Sequence, residues 1–204
     1  MTAPRRMADV SAACDGSVMS TRGLLAGTRI ATAMGWRAAE ALAPGDMVLT
    51  FDNGLQALVD VRRETFWVAD MMAPAAYASV MVPAGALGNS EELELLPDQG
   101  VLIESDAACD AQGDPFAVMA AKLLVGYRGI ARVAPRAQVE IITLIFATEQ
   151  VIYAEGGALI HCPRTHFALD ELGGEMGGYD VIPARNAPFI VECMKVEDQI
   201  GMAA

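Results

Sequence analysis

The chain has 204 residues, 53% hydrophobic and 20% charged, which is enough apolar material for one sizeable core and excludes disorder over most of its length. With 14 basic against 26 acidic side chains, a formal net charge of -12 and no basic run, it has no stripe of cations able to displace phosphate counterions. Nucleic acid is therefore not an expected partner.

Residues 1–22 show no sustained periodicity and mix small, charged and turn-forming types, which predicts a mobile lead-in. Asp9 and Asp15 interrupt the apolar stretch that a signal peptide would need after Arg5 and Arg6, so a reducing cytoplasm is the expected compartment. Arg29-Ile30-Ala31-Thr32 predicts a short strand, Met34-Gly35 a turn, and Pro44-Gly45-Asp46 a second turn. Met47–Phe51 is the next strand. Asp52-Asn53-Gly54 then supplies the residues of a tight hairpin, and the return strand runs Leu55 to Arg62, with Leu55, Ala57, Val59 and Val61 on the buried face.

Met71 to Ser90 carries no charge, but Pro74, Pro83, Gly85 and Gly88 would leave backbone groups unsatisfied in lipid, so buried strand and loop are expected there and no membrane insertion. Leu93 to Ile103 predicts two strand pieces joined across Pro97-Asp98-Gln99-Gly100. One short helix is signalled: Asp114 as cap, Pro115 in the first turn, Phe116 to Leu124 as body and Gly126 just beyond. Val139 to Phe146 and Val151 to Ala154 suggest a further, largely buried hairpin. The pairs Gly173-Gly174 and Gly177-Gly178 mark a flexible link into a tail with Pro183 and Pro188. The expected organisation is a lead-in at 1–22, a mostly β domain at 23–169 and a tail at 170–204.

The four cysteines, Cys14, Cys109, Cys162 and Cys193, are scattered and predict free thiols rather than a disulfide scaffold. His161, Cys162 and His166 place two imidazoles and a thiol within six residues, a set that could hold a transition metal or form a Cys–His pair. A polar loop leaving the last strand is the plainer reading, and no cofactor or metal is expected. Asp98 is the ionisable group in an altered motif or simply a turn residue. Glu91, Glu92 and Glu94 form an acidic group of the kind usually found on a solvated edge. Trp36 and Trp67 are expected in core or rim packing, and the twelve methionines as core filler.

Three stretches together resemble one family, the Hint domain shared by hedgehog C-terminal regions and inteins, in its bacterial branch. The first is Gly27-Thr28-Arg29-Ile30-Ala31-Thr32 with Glu40-Ala41-Leu42 and Pro44-Gly45-Asp46-Met47-Val48-Leu49-Thr50. The second is Pro83 to Gly88 followed by Leu93 to Leu102, similar to a GALG segment and an S-P-x-H-x-V-L block. The third is Ala120 to Leu124, Val139 to Phe146 and Val151-Ile152-Tyr153-Ala154-Glu155-Gly156, similar to a closing block that ends in AEG.

The resemblance implies an all-β, horseshoe-like fold built for autoprocessing. In such domains the first residue's thiol or hydroxyl attacks the preceding carbonyl, and a histidine of the second block protonates the departing amide nitrogen. Here the nucleophile position, five residues before Thr28, is Gly23. Ser-Pro-x-His becomes Leu96-Pro97-Asp98-Gln99, and a further histidine before the AEG segment becomes Glu149. No catalytic residue is expected at these positions. Two alternatives stay open: self-cleavage through Ser20, Thr21 or Cys14, and a metal-binding β module centred on His161, Cys162 and His166. An unrelated β-barrel or sandwich is a further alternative, and no protein partner is specified.

Overall fold

The computed structural model describes residues 20–67, 78–109, 113–134, 136–164 and 178–203. Cys14 and the rest of the expected lead-in to residue 19, His166, residues 71–77 of the apolar window and Gly173-Gly174 lie outside the described residues.

Turn-forming residues recur every few positions, so the chain folds into short strands. In order these are β1 (Leu24–Leu25), β2 (Arg29–Thr32), β3 (Gly35–Ala38), β4 (Met47–Thr50), β5 (Gly54–Ala57), β6 (Asp60–Trp67) and β7 (Ser79–Val82). They continue as β8 (Leu93–Leu95), β9 (Gly100–Glu104), β10 (Phe116–Ala120), β11 (Ala131–Val133), β12 (Gln138–Ile145), β13 (Gln150–Ala154) and β14 (Ala158–Cys162), before helix α1 (Ala187–Ala203). An eight-stranded sheet runs β10-β9-β14-β13-β2-β4-β5, with β3 paired to β2. Two three-stranded sheets, β1-β12-β6 and β11-β7-β8, complete the fold. The main core joins Ile30, Leu42, Val48, Leu93, Ile142 and Ile152. Helix α1 adds Ala187, Ile190, Val191 and Met194 to it, the one-faced spacing of an amphipathic helix.

Three sequence expectations change. The residues expected to form a helix, Phe116 to Leu124, instead form β10 and a short 3-10 turn at Ala121–Leu124. Strand β10 pairs along its whole length with β9, from Phe116 opposite Glu104 to Ala120 opposite Gly100. Burial on both faces removes the alternation that marks a strand, and the ladder outweighs the helix propensity of Ala and Met. Asp114 still caps locally, accepting the Phe116 N–H at 3.0 Å. The α-helix lies in the tail instead, announced by Pro188 in its first turn and by the spacing of its buried residues.

The return strand after the Asn53-Gly54 turn is not continuous. It breaks at Leu58, which is buried and donates its N–H to the Asp46 carbonyl, while Leu55 and Val59 are 44% and 51% exposed. The break sends β5 into the large sheet and β6 onto β12, so the expected buried face changes phase. Likewise β12 and β13 do not form a hairpin with each other. Strand β12 pairs with β6 and β1, whereas β13 pairs with β14, β2 and β4. Trp36 and Trp67 stand 46% and 59% exposed, which places them outside the core and, of the two locations expected for them, leaves the rim.

Candidate functional site

Two groups of motif residues meet in space. In the first, the backbone does the work. Gly157 lies so close to the loop before β8 that a Cβ on it would sit 2.1 Å from the Gly88 carbonyl oxygen. Asn89 holds that loop, accepting the Leu87 N–H and donating to the carbonyls of Pro83 and Glu91. Glu155, at φ +43°, receives the Arg29 N–H on its carboxylate at 2.6 Å and returns its own N–H to the Arg29 carbonyl. Asp46 plays a similar part, binding the Ala43 N–H and the Arg37 guanidinium, both at 2.9 Å.

The second group surrounds a cavity of about 280 Å³ lined by Arg22, Gly23, Gln99, Gly100, His161 and Cys162 among others. Two loops position its polar atoms. Asp98 N–H donates to the Thr21 carbonyl, while the carbonyls of Pro97 and Gln99 accept the N–H groups of Lys122 and Ala121. These bonds fix Gln99, which is 4% exposed and fully used. Its Oε1 accepts the Gly23 N–H at 2.9 Å, and its Nε2 donates to the carbonyls of His161 at 2.8 Å and Gly100 at 3.0 Å.

Gly23 has φ +117°, a conformation that favours glycine. A Cβ there would meet Ile141 Cγ2 at 2.6 Å and the Ile142 carbonyl oxygen at 3.2 Å. A side chain at this position therefore requires Ile141 to shift and the positive φ to be strained. Ser20, on the same cavity, donates its hydroxyl to the Arg22 carbonyl at 2.8 Å.

His161 lies on β14, not on a loop, and its Nε2 contacts the Glu149 carboxylate. Gly100 makes room for the imidazole: a Cβ there would lie 2.9 Å from His161 Nδ1. Cys162 joins the main core, and burial pushes its thiol up to about 12, leaving almost no thiolate near neutral pH. Burial also pushes the Asp98 carboxyl up, but hydrogen bonds from Lys122 and Thr21, with the charges of Lys122 and Arg22, outweigh it and leave it below the usual value of 3.8. Asp98 is thus held as an anion by its lysine partner and is a weak base.

A family model described as "Hint domain" matches residues 22–159. The chain belongs to the Hint domain family. No curated protein matches it. Among solved structures, a bacterial intein-like domain from Clostridium thermocellum aligns at 13% identity over 70% of this chain and 99% of its own, with a TM-score of 0.46. The gp41-1 intein aligns at 16% over 68% and 98%, with a TM-score of 0.42, and the MchDnaB-1 intein at 17% over 67% and 98%, with a TM-score of 0.41.

Within this Hint domain the four positions singled out in the sequence fall into three environments. Gly23 and Gln99 touch each other. Leu96 is fully buried in an apolar cluster with Leu25, Val139 and Ile141. Glu149 faces His161 and also accepts the Tyr179 N–H at 3.3 Å. Thr21 hydrogen-bonds Asp98. Of the set His161, Cys162 and His166, Cys162 is buried in the core and His166 lies outside the described residues; among the described residues no three His, Cys, Asp or Glu side chains form a metal-binding group. Glu94 and Glu91 instead pair with Arg136 and Arg29. Among the described residues, no helix is long and apolar enough to cross a membrane.

Sequence reasoning missed His161 as a cavity residue and Tyr179 as a neighbour of it, with ring centroids 6.1 Å apart. The short, mostly apolar run Ala-Leu-Ile-His-Cys at 158–162 was the available signal for the strand that carries His161.

Proposed function

We propose that this Hint domain has lost autoprocessing and uses the cleft of the former reaction for binding. The observation that carries the reading is the Gly23 N–H donating to Gln99 Oε1 at 2.9 Å. In the chemistry that the family resemblance implies, that nitrogen must receive a proton as the Arg22–Gly23 bond breaks. A carboxamide oxygen accepting from it offers no proton, and an amide is neither acid nor base near neutral pH. Gly23 has no nucleophile, and a Cβ there would press on the Ile141 side chain at 2.6 Å. What remains is a cavity lined by Leu24, Ile142, Leu144 and Ile160 with a few fixed polar groups, the usual make-up of a binding site.

Purified full-length protein incubated with thiol or hydroxylamine is expected to keep its intact mass. A fragment beginning at Gly23 would overturn the reading.

A second reading, self-cleavage between Arg22 and Gly23, draws on the Ser20 hydroxyl at the Arg22 carbonyl and on His161 in the same cavity. It requires that a fragment form and that Ser20→Ala and His161→Asn each prevent it.

A further inference from the structure

Strand β10 ends the eight-stranded sheet, so one of its edges is open to another strand. Residues 178–182 lie along it. Val118 N–H donates to the Asp180 carbonyl at 2.7 Å and Ile182 N–H returns to the Val118 carbonyl at 2.8 Å, the bridge of a parallel strand between Val118 and Val181. Two side chains of this segment anchor it. Tyr179 packs, like Phe51 and Phe116, against the buried cluster of Leu102, Val118 and Val151, puts its ring edge-on to His161, donates its N–H to Glu149 and bonds Asp52 through its hydroxyl. Ile182 packs on the main core, whereas Asp180 and Val181 are exposed, Val181 at the mouth of the cavity.

The slot and its occupant have different origins within the chain. Val118, Phe51, Phe116 and Glu149 lie inside the stretch matched to the family, while 178–182 lie beyond its end at residue 159. The anchor thus fills a groove that the family fold supplies, at the rim of the cavity lined by His161 and Val181.

We infer that this groove is a peptide-binding slot: it takes an extended segment with Tyr at one position and an aliphatic residue three positions later, added parallel to β10, and residues 178–182 are its built-in competitor. The inference rests on the non-catalytic reading above. Main-chain bonds at Val118 supply affinity, and the Tyr and aliphatic pockets supply selectivity. A tethered occupant raises its own local concentration, so a free peptide meets the slot mostly closed.

The test keeps the full chain and α1 intact and weakens only the anchors, as Tyr179→Ala with Ile182→Ala. A fluorescein-labelled peptide Gly-Tyr-Asp-Val-Ile-Pro is titrated against it and against the unaltered chain, with Gly-Ala-Asp-Val-Ala-Pro as control. Expected are binding at least about tenfold tighter to the variant, a Val118 amide that exchanges faster in the variant and is reprotected by the first peptide, and no response to the control. Circular dichroism verifies that the variant is folded. A folded variant that ignores the first peptide, or answers both peptides alike, or keeps Val118 protected unaided, overturns the slot. If the variant does not fold, the single change Tyr179→Ala carries the same titration and the same outcomes. Intact mass of the same samples separates the two ideas: an uncut chain without peptide binding removes only the slot, whereas a cut chain removes the non-catalytic reading.

Discussion

The loop–turn contact at Gly88 and Gly157 and the cavity at Gly23 and Gln99 lie in or beside the stretches that carried the family resemblance, yet they are held together differently. At the first, carbonyls and glycine Cα atoms touch directly, and nothing larger fits. At the second, the contact is a hydrogen bond between a backbone N–H and a side-chain oxygen, which any acceptor of the right length can supply. The fold constrains the first by a backbone carbonyl, and the second by a hydrogen bond together with the side chain of Ile141. A domain can therefore keep its scaffold motifs while the groups that would do chemistry are exchanged.

The comparison breaks most severely at the loop–turn contact. Gly157→Ala places a Cβ against the rigid Gly88 carbonyl and is expected to cost about 3 kcal/mol or more, lowering the Tm by roughly 6–12 °C in a thermal melt. Restoring the chemical residues tests the cavity. Gly23→Cys with Gln99→His is expected to lose about 2–3 kcal/mol, from the positive φ and the clash with Ile141, and still to show an uncut mass after thiol treatment. Cleavage by that variant would mean that β12 yields to a side chain at residue 23.

Gln99→Ala leaves the Gly23 N–H and the His161 carbonyl without this partner and is expected to cost about 1–2 kcal/mol by denaturant melting. A smaller loss would mean that water replaces the amide. Asp98 gives the smallest effect. Because its carboxyl titrates below the usual 3.8 in the folded chain, the stability it contributes is fully present above that value and disappears as pH falls through the folded value. Lys122→Ala is expected to cost under about 1 kcal/mol at pH 7, since the pair is partly exposed. That difference should shrink as melts are taken from pH 7 to progressively more acid pH, through the range in which the folded carboxyl takes up its proton.

Local chemistry was enough to place several elements. The turn at Pro44-Gly45-Asp46, the hairpin at Asn53-Gly54 and the strands at Arg29–Thr32 and Met47–Thr50 follow from residues adjacent in sequence, and they are where the sequence puts them. Phe116–Ala120 failed because a strand buried on both faces has no alternating pattern to show. Gln99 and Gly23 were legible only as departures from a motif. Their mutual hydrogen bond spans 76 residues, and no local rule contains it.

By itself the sequence determined the β character, the turns and the family, because backbone conformation at glycine, proline and short polar residues is set within a few positions. Tertiary structure alone decided that Gly23 is walled in by Ile141, that His161 shares a cavity with Arg22 and Gly23, and that the tail closes the edge of β10. Each of these depends on which distant strands become neighbours. That is settled by burying the whole apolar surface at once, not by any one segment's preference.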